Sequence, residues 1–474
     1  MKKISEYEIT VPGISILKNF CEKHDVLLSA CSKAAGRLLL TAAVMIIFLL
    51  LTLDICAFVK GGNWVRYALG VDMVNYSAGF IRRGLFGEIL YCMNAVFQPF
   101  VSVLLMSFIS VVFMLYVLIA RMIRLHANLV YIIAIVLSPS LILMHRGFEF
   151  VRSDLTIMAL NLAAACILLY FIFQKKCSTG KFRGMAPEAG RRQSFAGMLF
   201  IDALIFAILT VSALIHELSI TLLPPVMLLF LLYARRVHRT AHCLAVAALL
   251  LAIYAVMMAF FKFQDVRVIA DSWSGVFGSS DGRDIPRGLE VVASRERAMA
   301  HVRVSSESLT DFSVMDMVIA VAEPFIILLF SGISIFSSSS FRFRAIRWMI
   351  LISCLSPLCL SFVAYDYGRW FAFSAMQLTL YSLLLAHRAG RRRSVNNRPE
   401  NRRNLISLVK MCLTIAIMLH FIDLRLYCPG AFWTSKTAFA EEIAQSVTGL
   451  PDFGKCAGQL LTRELIITPY DEAD

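Results

Sequence analysis

The sequence predicts an all-α polytopic integral membrane protein of about eleven transmembrane helices (range 10–12), with the amino terminus inside and the carboxyl terminus outside. Three observations predict it. The chain is 59% apolar with a mean hydropathy of +0.73, whereas soluble domains are roughly 45–50% apolar. Its apolar runs are about 17–23 residues long, the length a helix needs to cross a hydrocarbon core of roughly 30 Å. The lysines and arginines gather in alternate connecting segments, as the positive-inside rule requires of a multi-pass chain. Backbone in lipid must satisfy its own polar groups, which leaves helices or closed barrels. The ten-residue alternation of barrel strands is missing.

The apolar runs fall at approximately 38–58, 100–120, 128–144, 155–173, 196–215, 218–234, 243–261, 314–335, 348–364, 371–387 and 406–426. Residues 1–37 are read as a cytoplasmic segment without a cleavable signal peptide, because the run that follows is long enough to be a span itself. Basic residues concentrate in 1–37, 121–127, 174–195, 234–242, 336–347 and 388–405, and R-A-G-R-R-R (388–393) is the clearest anchor. That set is cytoplasmic. The outer set is then 59–99, 145–154, 262–313, 365–370 and the tail. The domain reading is a cytoplasmic segment 1–37, a transmembrane domain 38–426 with outer loops 59–99 and 262–313, and an outer tail 427–474. The tail holds Cys428 and Cys456, which an oxidising compartment could join; two free thiols are an equal alternative. L-S-P occurs at 137–139 and again at 355–357, late in two spans, where proline commonly kinks a helix.

Several function classes are excluded. The net charge is +14, yet no basic stretch carries the interleaved aromatics of a nucleic-acid surface. The twelve cysteines show no C-x-x-C spacing, so no zinc or redox motif is supported. No P-loop or dinucleotide fingerprint is present, which argues against ATP coupling, and no D-x-D pair suggests a divalent metal. The expectation is no cofactor and no metal.

Four short outer segments carry most of the informative charge: D-M-V-N-Y-S-A-G-F-I-R-R-G-L-F-G-E-I-L (72–90), H-R-G-F-E-F-V-R-S-D (145–154), I-H-E (215–217) and Y-D-Y-G-R-W (365–370). Charges at membrane depth are costly and usually serve function or pairing. The plain alternative is interfacial anchoring, with arginines snorkelling beside an aromatic belt; anchoring does not need Asp beside Arg, or His beside Glu in a tight turn. Arginine offers a planar fork for phosphate oxygens. Arg82, Arg83, Arg152 and Arg369 are therefore the candidate ligands for a diphosphate, with Arg146 a secondary one. Asp72, His216, Glu217 and Asp366 are the pool from which a proton acceptor is drawn; Glu88, Asp154 and His301 are secondary candidates. Gly79 and Gly84 would let backbone approach a ligand closely. Residues 84–98 place Leu85, Ile89, Met93 and Val96/Phe97 on one stripe, which predicts a short interfacial helix.

These patches resemble bacterial polytopic proteins of surface-polysaccharide assembly, the O-antigen polymerases and the related membrane glycosyltransferases that use polyprenyl-linked substrates. Y-S-A-G-F-I-R-R-G-L-F-G-E (76–88) resembles a Tyr-x-x-Gly-Phe-Val-Arg-Arg-Gly-Leu-x-Gly pattern in such chains. R-S-D (152–154), H-E (216–217) and D-Y-G-R-W (366–370) resemble further patches. The resemblance covers these patches and the span pattern. It implies an enzyme of the bacterial inner membrane that extends a glycan on undecaprenyl diphosphate at the periplasmic face without an essential metal. Its partners would be the polyprenyl-diphosphate-linked glycan, membrane lipid and other polysaccharide-assembly proteins, with no nucleic acid. The lipid-sugar glycosyltransferases usually carry an acidic base in the first outer loop, and Asp72 fits that description too.

Two other classes stay open at the level of sequence. Asp316 and Glu323, beside Pro324 within the eighth run, suit a flippase or secondary transporter. A non-catalytic scaffold needs only the anchoring reading of every charge.

Overall fold

A computed structural model describes residues 72–78, 84–94, 99–125, 129–136, 138, 153–177, 195–216, 219–236, 240–259, 266–273, 322, 324–331, 341–362, 367–386, 409–410 and 412–414. Among these the regular structure is helical and contains no strand. Among the described residues two helices are long and apolar enough to cross a membrane, over Val101–Arg124 and Ser153–Ile172. The helices are α1 (Gly84–Met93), α2 (Pro99–Arg124), α3 (Leu129–Val136), α4 (Ser153–Cys177), α5 (Phe195–Ile215), α6 (Ser219–Leu222), α7 (Pro224–Arg236), α8 (Thr240–Ala259), α9 (Val266–Ser272), α10 (Phe341–Ser353) and α11 (Tyr367–Leu385). Short 3-10 turns occupy Tyr76–Ala78 and Ser356–Phe362.

Helix α4 is the centre of the bundle. Its apolar residues fall on all sides, as suits a helix with several neighbours, and it packs against α2, α5, α6 and α7. Its buried side chains include Ile157, Leu162, Ala164, Ala165 and Leu168. Helix α2 is different. It buries Val103, Val111, Met114 and Leu118 but exposes Leu105, Ile109, Val112, Tyr116 and Ile123. Both of its faces are apolar, so the outward one suits hydrocarbon.

Side-chain contacts fix which helix ends lie together. Arg121, near the carboxyl end of α2, donates from Nε to the Leu383 carbonyl at 2.9 Å and from Nη2 to the carbonyls of Leu384 at 3.1 Å and Ala386 at 2.9 Å. These are the carbonyls that the end of α11 leaves without helical partners, and a cation there also suits the helix dipole. The carboxyl ends of α2 and α11 are therefore together. The amino end of α4 meets the carboxyl end of α5 through Asp154 and His216. Helices α2 and α4 run parallel, joined by Ser110 Oγ to Thr156 Oγ1 at 3.3 Å. The end that holds Asp154 is thus opposite the end that holds Arg121.

Two runs expected as single spans are broken. The run at 218–234 is α6, then Leu223, then α7, because Pro224 and Pro225 have no N–H to continue the ladder. Pro225 would have served the Thr221 carbonyl; Ser356 Oγ donates to it instead. Gln377 Nε2 donates to the Leu222 carbonyl at 3.1 Å. Broken backbone deep in such a bundle is tolerated where protein resupplies the bonds. The run at 348–364 begins earlier than expected, at Phe341, and its α-helix stops at Ser353 before the L-S-P motif. The chain continues as the 3-10 turn that carries Ser356.

Candidate functional site

Asp154 of R-S-D and His216 of I-H-E meet at the amino end of α4. Asp154 lies in the first turn of α4, where the helix dipole favours a carboxylate. Its Oδ1 stands 3.9 Å from His216 Nε2, and the two residues are 1% and 7% exposed. This is an electrostatic contact, longer than a hydrogen bond. The His216 backbone is held on both sides. Its N–H donates to the Ser212 carbonyl at 3.3 Å, and its carbonyl accepts from the Ser219 N–H at 3.1 Å. The tight turn therefore sets the ring position through backbone geometry. Ser219 Oγ in turn hydrogen-bonds Tyr254 OH on α8. An imidazole beside a buried carboxylate can accept a proton and be stabilised as imidazolium.

The segment that opens with Asp72 is docked firmly. Trp273 Nε1 donates to the Met73 carbonyl at 2.9 Å, and Asn75 Nδ2 donates to Ser272 Oγ at 2.9 Å. Asn75 Oδ1 accepts from the Ser77 N–H at 3.2 Å. Trp273 also meets the Tyr91 ring edge-on, with centroids 5.3 Å apart. Helix α9, at the start of the long loop, thus clamps the opening motif. Asp72 is 3% exposed within this clamp.

Three residues of the opening motif have structural partners. Glu88, a secondary site candidate, accepts the Tyr76 backbone N–H at 3.1 Å through Oε2 and so ties the 3-10 turn to α1. Burial, and second the Glu88 charge, push the Tyr76 phenol up to about 12. Gly84 was expected to admit a ligand; a Cβ there would lie 2.2 Å from Tyr76 Cε1, so the space is taken by the Tyr76 ring. At Gly87 a Cβ would lie 2.1 Å from the Val74 carbonyl oxygen. The glycines of this motif at 84 and 87 serve chain packing. Helix α1 ends at Met93; its buried face is Gly84, Phe86, Gly87 and Leu90, while the Leu85/Ile89/Met93 stripe is half-exposed. The buried face packs on α2 and α5.

Of the expected site residues, the structure brings Asp154 and His216 together and buries Asp72. Arg369 lies in the first turn of α11. Arg82, Arg83, Arg146, Arg152, Glu217, His301 and Asp366 lie outside the described residues, as do Asp316, Glu323, Cys428 and Cys456. Among the described residues no group of three or more His, Cys, Asp or Glu could hold a metal ion. Sequence reasoning missed Trp273, Ser272, Tyr254 and Ser219. A tryptophan within the polar stretch I-A-D-S-W was the available signal for the clamp. Nothing local signals the pairing of Ser219 with Tyr254.

In comparisons with protein-family models, curated proteins and solved structures, nothing matches this chain.

Proposed function

We propose that the chain is a multi-pass membrane enzyme of glycan assembly that extends a polyprenyl-diphosphate-linked oligosaccharide at the outer face of a bacterial inner membrane. The observation that carries this reading is the buried Asp154–His216 pair, which joins two patches of the family-like pattern at one end of the bundle. Further support comes from charge. The opposite end carries Arg121 and Arg124, and the carboxyl ends of α4 and α7 bear Lys175, Lys176, Arg235 and Arg236. The positive-inside rule makes that end cytoplasmic and the His–Asp end outer. The apolar outward face of α2 supports a lipid surround, and an eleven-span chain with its amino terminus inside accommodates both.

In this reading His216 takes the proton of the acceptor hydroxyl. Asp154 stabilises the imidazolium that results, and the hydroxyl oxygen attacks the anomeric carbon. The lipid diphosphate leaves, held by Arg82, Arg83, Arg152 and Arg369 through bidentate contacts. Glu217 and Asp366 flank this chemistry in the sequence. A second reading, a lipid-linked-sugar transferase with Asp72 as base, has one observation in its favour: Asp72 is buried within the clamped first segment.

The test is the surface-glycan ladder of a deletion strain complemented with wild type, His216→Gln, Asp154→Asn, Asp72→Asn or Arg82→Ala/Arg83→Ala, with membrane protein levels matched. The expected result is a ladder rescued by wild type and collapsed to single repeats in the His216, Asp154 and double arginine variants. Loss only with Asp72→Asn would transfer the base to Asp72. A full ladder in the deletion strain would remove the glycan reading.

A further inference from the structure

Helices α7 and α10 run antiparallel. Ser356, just past the end of α10, donates to the Thr221 carbonyl just ahead of α7, and the two helices pack on each other. From that contact each runs back about 20 Å at 1.5 Å per residue. Their opposite ends therefore lie together. Those ends carry Arg235 and Arg236 in the last turn of α7, and Arg342 and Arg344 in the first turn of α10. Neither helix contains an Asp or Glu, nor does α11, which also packs on α10. Asp202, in α5 at the same end of the bundle, is 7% exposed and faces His242 at 3.6 Å. Cations in the first turn of a helix also oppose its dipole. Four arginines gathered with no carboxylate on either helix repel one another, and an anion among them reverses that cost.

The apolar surface decides which kind of anion. Inward from Arg344, the residues Ala345, Trp348, Met349 and Ile352 are exposed, the last three at 47%, 53% and 63%. Their spacing makes one helical stripe. Arg344 stands on the same stripe, one turn before Trp348. Arg235 stands likewise one turn beyond Leu231, itself 39% exposed. The positive charge is thus continuous with an outward apolar face, and Trp348 sits at the boundary, where tryptophan suits a membrane interface. Free phosphate would use the arginines alone. A phospholipid uses both surfaces, its headgroup at the arginines and its chain along the stripe.

We propose that the paired ends of α7 and α10 bind an anionic phospholipid. Its phosphate lies among Arg235, Arg236, Arg342 and Arg344, and an acyl chain follows Trp348, Met349 and Ile352. Basic clusters at the ends of membrane helices hold acidic headgroups in this way. The positive-inside rule only orients a chain, whereas this site selects the lipid beside it. The inference rests on the chain lying in a bilayer and not on the glycan chemistry.

The experiment is quenching of Trp348 fluorescence by brominated acyl chains, on the full chain in phosphatidylcholine nanodiscs. The Trp348 signal is the difference between wild type and Trp348→Phe. Brominated phosphatidylglycerol and brominated phosphatidylcholine are compared as minor components at equal mole fraction. The phosphatidylglycerol should be preferred about five-fold or more, the worth of one arginine at an anionic surface. Arg342→Gln/Arg344→Gln should bring the two lipids level. Arg235→Gln/Arg236→Gln is a second variant if the first folds poorly, and it should lower the preference too. Equal quenching by both lipids in the wild type overturns the proposal and leaves the bilayer placement standing. Quenching by neither overturns both. A preference that survives in the folded variants overturns the arginine site. A preference abolished by inorganic phosphate at matched ionic strength overturns the lipid assignment.

Discussion

His216 Nε2 faces Asp154 Oδ1 at 3.9 Å in a bundle end where both side chains are buried. The carboxylate belongs to the first turn of α4 and the imidazole to the turn after α5, so neither can move far without breaking helix contacts. If the pair serves proton transfer, His216→Gln should lower glycan extension by about 10²–10⁴-fold, the usual worth of a positioned acid–base group. Asp154→Asn should lower it less, because the imidazole stays in place. The double variant should be no worse than His216→Gln, since residues acting as a unit are not additive. Extension rates in membranes at matched protein level check this.

The close approach of α1 to Met73–Tyr76 makes a second, structural expectation. Gly87→Ala puts a methyl against the Val74 carbonyl, which is backbone and cannot swing aside. Gly84→Ala meets the Tyr76 ring, a side chain with some freedom. Overpacking costs about 1–3 kcal/mol. Gly87→Ala should sit at the upper end and Gly84→Ala below it, measured as thermal stability of the detergent-purified variants.

Tyr76 gives a pH prediction with a defined sign. Its phenol has an ordinary value of 10.0 and is pushed up to about 12 in the folded chain, by burial first and by Glu88 second. A raised folded value means that the stabilisation is fully present below pH 10 and is lost as pH rises toward 12. The clamp should therefore loosen over that window, seen as a change in Trp273 fluorescence. Tyr76→Phe should remove the part of the transition that belongs to this residue.

Arg121 makes three hydrogen bonds to the last carbonyls of α11. Hydrogen bonds to a charged group contribute about 1.5–3 kcal/mol. Arg121→Ala should therefore destabilise by roughly that amount or somewhat more. Arg121→Lys should recover only part of it, because an ammonium cannot reproduce the planar fork. Denaturation of the purified variants in mild detergent orders the three proteins.

Much of the helical layout was legible along the chain because long apolar runs mark helices. The apolar runs at 100–120, 155–173, 196–215 and 371–387 coincide with α2, α4, α5 and α11, and α2 and α4 are long and apolar enough to cross a membrane. The tight turn at His216 was legible from the gap between two runs. The break at Leu223 was missed because hydropathy counts Pro224 and Pro225 within an apolar run, while their missing N–H groups act on the hydrogen-bond ladder. For the candidate site, the residue types were legible and the partners were not. The packing of α4 on α5 brings Asp154, a secondary candidate in the sequence, to His216, and the fold gives Glu88 the Tyr76 N–H as a partner.

The sequence by itself determined that the chain is helical and strongly apolar, which charges are unusual, and where the short polar patches interrupt the runs. Those properties depend on composition and period, and both are local. Only the tertiary structure decided that Trp273 clamps Met73, that Gly84 and Gly87 make room for protein, and that α11 turns a polar face inward. These are relations between segments far apart in the chain. Each is set by which helix faces meet once every apolar surface has found a neighbour, and no local pattern encodes that choice.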